Sequence, residues 1–197
     1  MTRTQQNEIK FLSKKDLTKL FKTIENTNII NKYVLRDLLL FNLAYYCGLR
    51  ISEISLIKRE NYNRDTKEIY IKRLKGSLNS TIKLDKKREQ LLNKYLREFP
   101  KKDEESLFAT KSGKPLTKSS IEYLTKKYAE LSGLKDFHFH MLKHSIAVHL
   151  LEVSFSIFEL KNYLGHKSID STLAYSTFTK QMSDEMYNKI NSVDVLV

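Results

Sequence analysis

Four short stretches of this 197-residue chain carry side chains that could act together on a phosphate. The first is Gly48-Leu49-Arg50-Ile51-Ser52-Glu53, in which Arg50 stands at an expected helix start. Its guanidinium can grip a phosphate through two parallel hydrogen bonds, and a helix N-terminus also favours an anion. The plain alternative is a surface arginine paired with Glu53. The second is Lys75-Gly76 in a basic loop, Lys75-Gly-Ser-Leu-Asn-Ser, between two expected strands. A lysine there is either solvated or a proton donor whose pKa follows its surroundings. The third is His140-Met-Leu-Lys143-His144, which puts two imidazoles and an ammonium on one helical face. Zinc is the competing use of histidines four apart, but no third ligand of the usual kind lies nearby. The fourth is Leu164-Gly165-His166, with Tyr175 nine residues beyond the histidine. A phenol is a possible nucleophile toward phosphorus, although most of the 11 tyrosines must be packing residues.

Helices must position these groups. Ser13 with Asp16 reads as a helix start, and Leu17, Leu20 and Phe21 form that helix's apolar stripe. A second helix is expected over Tyr33 to Cys47, ended by Gly48, and a short one over Ile51 to Ile57. Asn61 to Thr66 reads as a turn. Glu68 to Leu74 and Thr81 to Leu84 alternate as two strands. Asp85 caps a helix running to about Phe99, with Pro100 just beyond. Further helices are expected over 117–132, 139–153, 155–164, 168–177 and 180–191. Leu142, Ile146 and Leu150 should face inward. The result is a mainly α fold with a small antiparallel β-sheet inserted after the third helix, in one domain without internal repeats.

Composition narrows the partners. Hydrophobic residues make up 41%, enough for a core, and the net charge is +12. That excess points to a polyanion, either nucleic acid or an anionic membrane surface. The longest apolar run, Leu38 to Tyr46, contains Asn42 and is too short to cross a bilayer, and no signal-peptide pattern opens the chain. The lone cysteine, Cys47, cannot form an internal disulfide, suits a reducing cytoplasm and reads as a buried, inert thiol. Lys72, Arg73, Lys83, Lys86, Lys87 and Arg88 concentrate charge around the expected hairpin, as a solvated basic face or, where the polyanion is nucleic acid, as the expected DNA contacts.

In order and spacing, the four stretches resemble the catalytic domain of tyrosine recombinases, the phage integrase family. The matching pieces are Gly48 to Glu53, Lys75 at 25 residues after Arg50, His140 to His144, and Leu164 to His166 followed by Tyr175. Phe11-Leu-Ser-Lys-Lys-Asp-Leu, Leu107-Phe-Ala and Ser112-Gly-Lys-Pro extend the likeness over residues 11 to 180. The resemblance implies DNA strand cleavage and rejoining through a 3′-phosphotyrosine at Tyr175, needing no metal or other cofactor. It implies that Arg50 and Lys143 neutralise the phosphate, that His166 hydrogen-bonds it, that His140 accepts the tyrosine proton and that Lys75 protonates the leaving 5′-oxygen. Glu53 and His144 would support them, and cationic neighbours would favour the phenolate. The partners implied are double-stranded DNA and sister copies, four on two DNA sites, with a monomer or weak dimer off DNA. Residues 1–10 should be a flexible lead, and 181–197 a helical tail packed in cis or exchanged between protomers. Two departures stand out. Lys143 occupies the place of the family's second arginine, and nothing here matches the family's N-terminal DNA-clamping domain. Related chemistry without recombination, as in type IB topoisomerases, and a DNA-binding protein weakened by Lys143 are the other readings.

Overall fold

The computed structural model describes residues 9–27, 33–74, 77–100 and 105–176. Eight α-helices run in the order α1 Lys14–Asn26, α2 Tyr33–Tyr46, α3 Ile51–Ile54, α4 Lys86–Glu98, α5 Lys118–Ser132, α6 His140–Glu152, α7 Ile157–Leu164 and α8 Asp170–Leu173. A three-stranded antiparallel sheet, β1 Tyr62–Asn63, β2 Glu68–Ile71 and β3 Ser80–Lys83, lies between α3 and α4.

Local chemistry accounts for the helix ends. Ser13 and Asp16 close a reciprocal capping box at α1. Asp85 accepts from the Arg88 N–H, and Thr117 from the Ser120 N–H, at the starts of α4 and α5. Gly133 and Gly165 end α5 and α7 in the left-handed conformation. α2 is apolar nearly all round and occupies the centre, against α1, α4 and α6. Phe41 on α2 meets Tyr128, Phe137 and Phe139, which binds α5 and the approach to α6 into one core. The sheet adds its inward residues Ile69, Ile71 and Ile82, with Ile69 opposite Ile82. A second apolar cluster joins Ile146, Ala147, Val148 and Leu151 of α6 to Leu160 and Leu164 of α7 and to the ring of Tyr175.

Three elements differ from expectation. The strand expected to reach Leu74 stops at Ile71, because Arg73 turns into the protein and leaves the ladder. The stretch from Asn61 supplies a third strand, β1, whose two residues pair with Glu68 and Ile69. α3 and α8 have four residues each, shorter than the spans expected. The helix expected over 180–191 lies outside the described residues. No helix among them is long and apolar enough to cross a membrane.

Candidate active site

Glu53 organises one side of the site. It is fully buried, and its carboxylate accepts from the Arg50 N–H (2.9 Å), the Arg50 guanidinium (3.1 Å) and the Arg73 guanidinium (3.0 Å). Burial alone would raise its pKa, but the Arg50 N–H and the Arg73 charge prevail and hold it below the usual carboxylate range. Arg73 spends its remaining donors on the carbonyls of Gly48 (3.0 Å) and Cys47 (2.8 Å). Its side chain has no exposure, so the expectation that it contacts DNA is corrected: it is an internal anchor that ties the end of β2 to the end of α2. Arg50 remains partly exposed, and a cleft of about 670 Å³ opens beside it and His140.

The β2–β3 loop is clipped to the turn that carries His166. The Leu78 N–H donates to the Gly165 carbonyl (2.6 Å), Ser77 pairs as a bridge with His166, and Ser77 Oγ accepts from the Arg50 guanidinium (2.9 Å). Gly165 is required here. Its φ is +67°, and a Cβ would lie 2.4 Å from the Leu78 carbonyl oxygen. His166 is buried, with Nδ1 against Thr172 Oγ1 (2.9 Å), which fixes the ring and leaves Nε2 for a ligand. Burial, then the charges of Lys143, Arg50 and Arg73, push it down to about 4. Lys75 and Gly76 fall outside the described residues, while Arg73, Leu74, Ser77 and Leu78 on either side all touch the site.

α6 supplies the opposite wall. Leu142 and Ile146 pack inward as expected. Lys143 is only 2% exposed, and its Nζ has no hydrogen-bond partner among the described residues. Burial, with Arg50 and Arg73 nearby, lowers its pKa to about 7 against the pull of Glu53. His140 is exposed and meets the His144 ring edge-on, with centroids 4.5 Å apart. Tyr175 is 3% exposed, its ring in the α6–α7 cluster and its hydroxyl 2.8 Å from His144 Nδ1. The tyrosine expected as nucleophile is thus also a packing residue. Two expectations change. The imidazole on the phenol is His144 rather than His140. The phenol is not shifted toward phenolate either: burial outweighs Arg50 and pushes it up to about 12.

Of the remaining expected DNA contacts, Lys72, Lys83, Lys86 and Lys87 are exposed. Arg88 is largely held, paired with Asp85 and lying over the Tyr46 ring. The burial of Cys47, whose thiol is pushed up to about 12 by desolvation, agrees with an inert role. Among the described residues no three His, Cys, Asp or Glu side chains gather as a metal-holding group. Ser77 and Thr172 were not anticipated as site residues. Ser77 had only its place in the basic loop as a signal, and Thr172 had none.

A mainly helical domain with a small antiparallel sheet that gathers an arginine, a buried lysine, three histidines and a tyrosine hydroxyl has the fold of tyrosine recombinase and integrase catalytic domains. The chain belongs to the phage integrase family, which it matches over residues 10–182. A tyrosine recombinase of Pseudothermotoga lettingae is 29% identical over 156 residues, 79% of this chain and 54% of that protein. The tyrosine recombinase XerC of Listeria welshimeri is 30% identical over 187 residues, 91% of this chain and 61% of that one. The chain therefore spans between half and two thirds of the length of these relatives. Among solved structures, XerH site-specific recombinase bound to palindromic difH substrate superposes with a TM-score of 0.78 at 25% identity, covering 94% of this chain and 55% of that one. The catalytic domain of bacteriophage HP1 integrase superposes with a TM-score of 0.67 at 20% identity, covering 92% and 95%.

Proposed function

We propose that this chain is the catalytic domain of a site-specific DNA recombinase, breaking and rejoining strands through a phosphotyrosine at Tyr175. The observation that carries the reading is the tyrosine hydroxyl held 2.8 Å from His144, on the helix that also bears His140 and Lys143, whose Nζ has no hydrogen-bond partner among the described residues. In this reading the hydroxyl of Tyr175 attacks phosphorus, the bond to the 5′-oxygen breaks, and a 3′-phosphotyrosine remains. Arg50 and Lys143 neutralise the non-bridging oxygens as charge develops, and His166 Nε2 donates to one of them. Lys75 delivers the proton to the leaving oxygen. One ester replaces another of similar energy, so the exchange is reversible without an energy source. The relatives named above as recombinases support this chemistry, as does the DNA in the XerH structure. Four copies acting on two duplexes would complete an exchange.

A pool of nicked duplexes, randomised on both sides of the nick, tests the reading. The nick lets the short leaving strand escape, so wild-type protein should accumulate a covalent adduct that survives denaturation. Tyr175→Phe should bind the same DNA and form none. An adduct in that variant removes Tyr175 as nucleophile, and no adduct with wild-type protein rejects the enzyme reading.

A further inference from the structure

The hydroxyl of Tyr175 and Nδ1 of His144 are at ordinary hydrogen-bond distance, 2.8 Å, and no other described group bonds that hydroxyl. His140 reaches His144 with its ring and not the phenol. We propose that His144, rather than His140, is the catalytic group that takes the Tyr175 proton during strand cleavage and returns it during rejoining. This deepens the recombinase reading and rests on it. As Tyr175 Oη bonds to phosphorus and the phosphorus–O5′ bond breaks, the phenolic proton passes to His144 Nδ1, leaving an imidazolium. The 5′-oxygen takes its own proton from the separate acid. In rejoining, the 5′-hydroxyl attacks phosphorus and returns its proton to that group, while Tyr175 Oη leaves and recovers the proton from His144.

The surroundings make this transfer dependent on substrate. Burial and the charges of His140, Lys143 and His138 hold His144 down to about 4, while burial keeps the phenol high despite Arg50. Without DNA both partners are therefore neutral, and the transfer uses the tautomer in which the phenol donates and His144 Nδ1 accepts. A phosphodiester seated between Arg50 and Lys143 offsets the positive charge that opposes an imidazolium. The same imidazole then becomes a stronger base, and the nucleophile is released only beside its target. The 3% exposure of Tyr175 serves the same end, since solvent cannot draw the proton away.

The test uses single-turnover adduct formation on a duplex recovered from the randomised pool, followed across the neutral pH range. His144→Asn keeps an oxygen near the Nδ1 position but cannot accept a proton. It should slow adduct formation by about a hundredfold or more. Its rate should also rise steadily with pH, because the phenol must then ionise unaided. His140→Asn should slow the reaction while keeping the wild-type pH profile. His144→Gly should regain activity with added imidazole in proportion to the free base, a response that a merely structural histidine would not give. A wild-type rate and profile in His144→Asn, no rescue of His144→Gly, or hydroxide dependence appearing in His140→Asn instead would each overturn the assignment. Wild-type protein without an adduct on Tyr175 would remove the recombinase reading and this one together. An adduct on Tyr175 with His144→Asn unchanged would remove this one alone.

Discussion

The ammonium of Lys143 lies where a cation is hard to keep: buried, beside two arginines, and without a hydrogen-bond partner among the described residues. An unsatisfied buried polar group costs about 1–3 kcal/mol, more when charged. On the recombinase reading, a phosphate seated beside Arg50 would supply an acceptor. Lys143→Met should therefore abolish adduct formation yet raise the melting temperature at neutral pH, by about 2–10 °C at the usual conversion for a chain of this size. The pH dependence has a definite sign. The folded value of about 7 lies below the ordinary 10.5, so between those values the unfolded chain binds more protons and stability rises with pH. That increment is complete above 10.5 and lost as pH falls through 7. Melting curves at stepped pH should show the rise in wild-type protein and lose it in Lys143→Met. A variant that melts lower at neutral pH would mean that the lysine stem packs better than methionine and that the orphan charge is not the dominant cost.

Among the elements, the clip between the β2–β3 loop and the α7–α8 turn joins Ser77 and Leu78 to the backbone that carries His166. Among the described residues it rests on the backbone hydrogen bond from Leu78 to Gly165, the Ser77–His166 bridge and the absence of a side chain at 165. Gly165→Ala should both strain the backbone and push Leu78 away, carrying His166 and Ser77 with it. Gly133→Ala provides the control. Its φ of +64° imposes the same kind of strain, about 1–2 kcal/mol, but its Cβ would meet only the flexible Lys19 Nζ at 3.4 Å. Both variants should melt lower, whereas Gly165→Ala alone should lose adduct formation, by about tenfold or more, because misplacing reacting groups is costly. Equal activity in the two would show that the clip does not position the site. Arg73 acts at the same level: by holding the Cys47 and Gly48 carbonyls and Glu53 at once, it fixes α2, α3 and β2 relative to one another.

Across the molecule, the net charge of +12 acts through its arrangement. Lys72 just beyond β2, Lys83 at the end of β3, and Lys86 and Lys87 at the start of α4 are exposed and near in sequence, whereas Arg73 and Arg88 are committed elsewhere. Replacing the four lysines by alanine should weaken DNA binding most at low salt. The slope of log affinity against log salt should flatten by about 0.9 for each phosphate that is no longer neutralised, as measured in a salt titration. An unchanged slope would move the DNA-binding face away from the hairpin.

Most helix boundaries were legible in the sequence because they depend on neighbours a few residues apart. Ser13 with Asp16, Asp85 before α4 and Gly165 after α7 each act within one turn. The family was legible too, since four spaced stretches carry an arginine, a lysine, histidines and a tyrosine in its order. The two-residue strand β1 was not, because only its pairing with β2 makes it a strand. Nor could the sequence separate Lys72, which faces solvent, from Arg73, whose guanidinium is consumed inside. The resemblance pointed to His140 as the partner of the phenol, whereas the hydroxyl lies against His144, one turn along the same helix. Which imidazole it meets depends on where Tyr175, 31 residues beyond His144, is packed. Local backbone preference is set by adjacent side chains, but burial, pairing and proton affinity are set by whatever the folded chain brings alongside, and only the tertiary structure decides that.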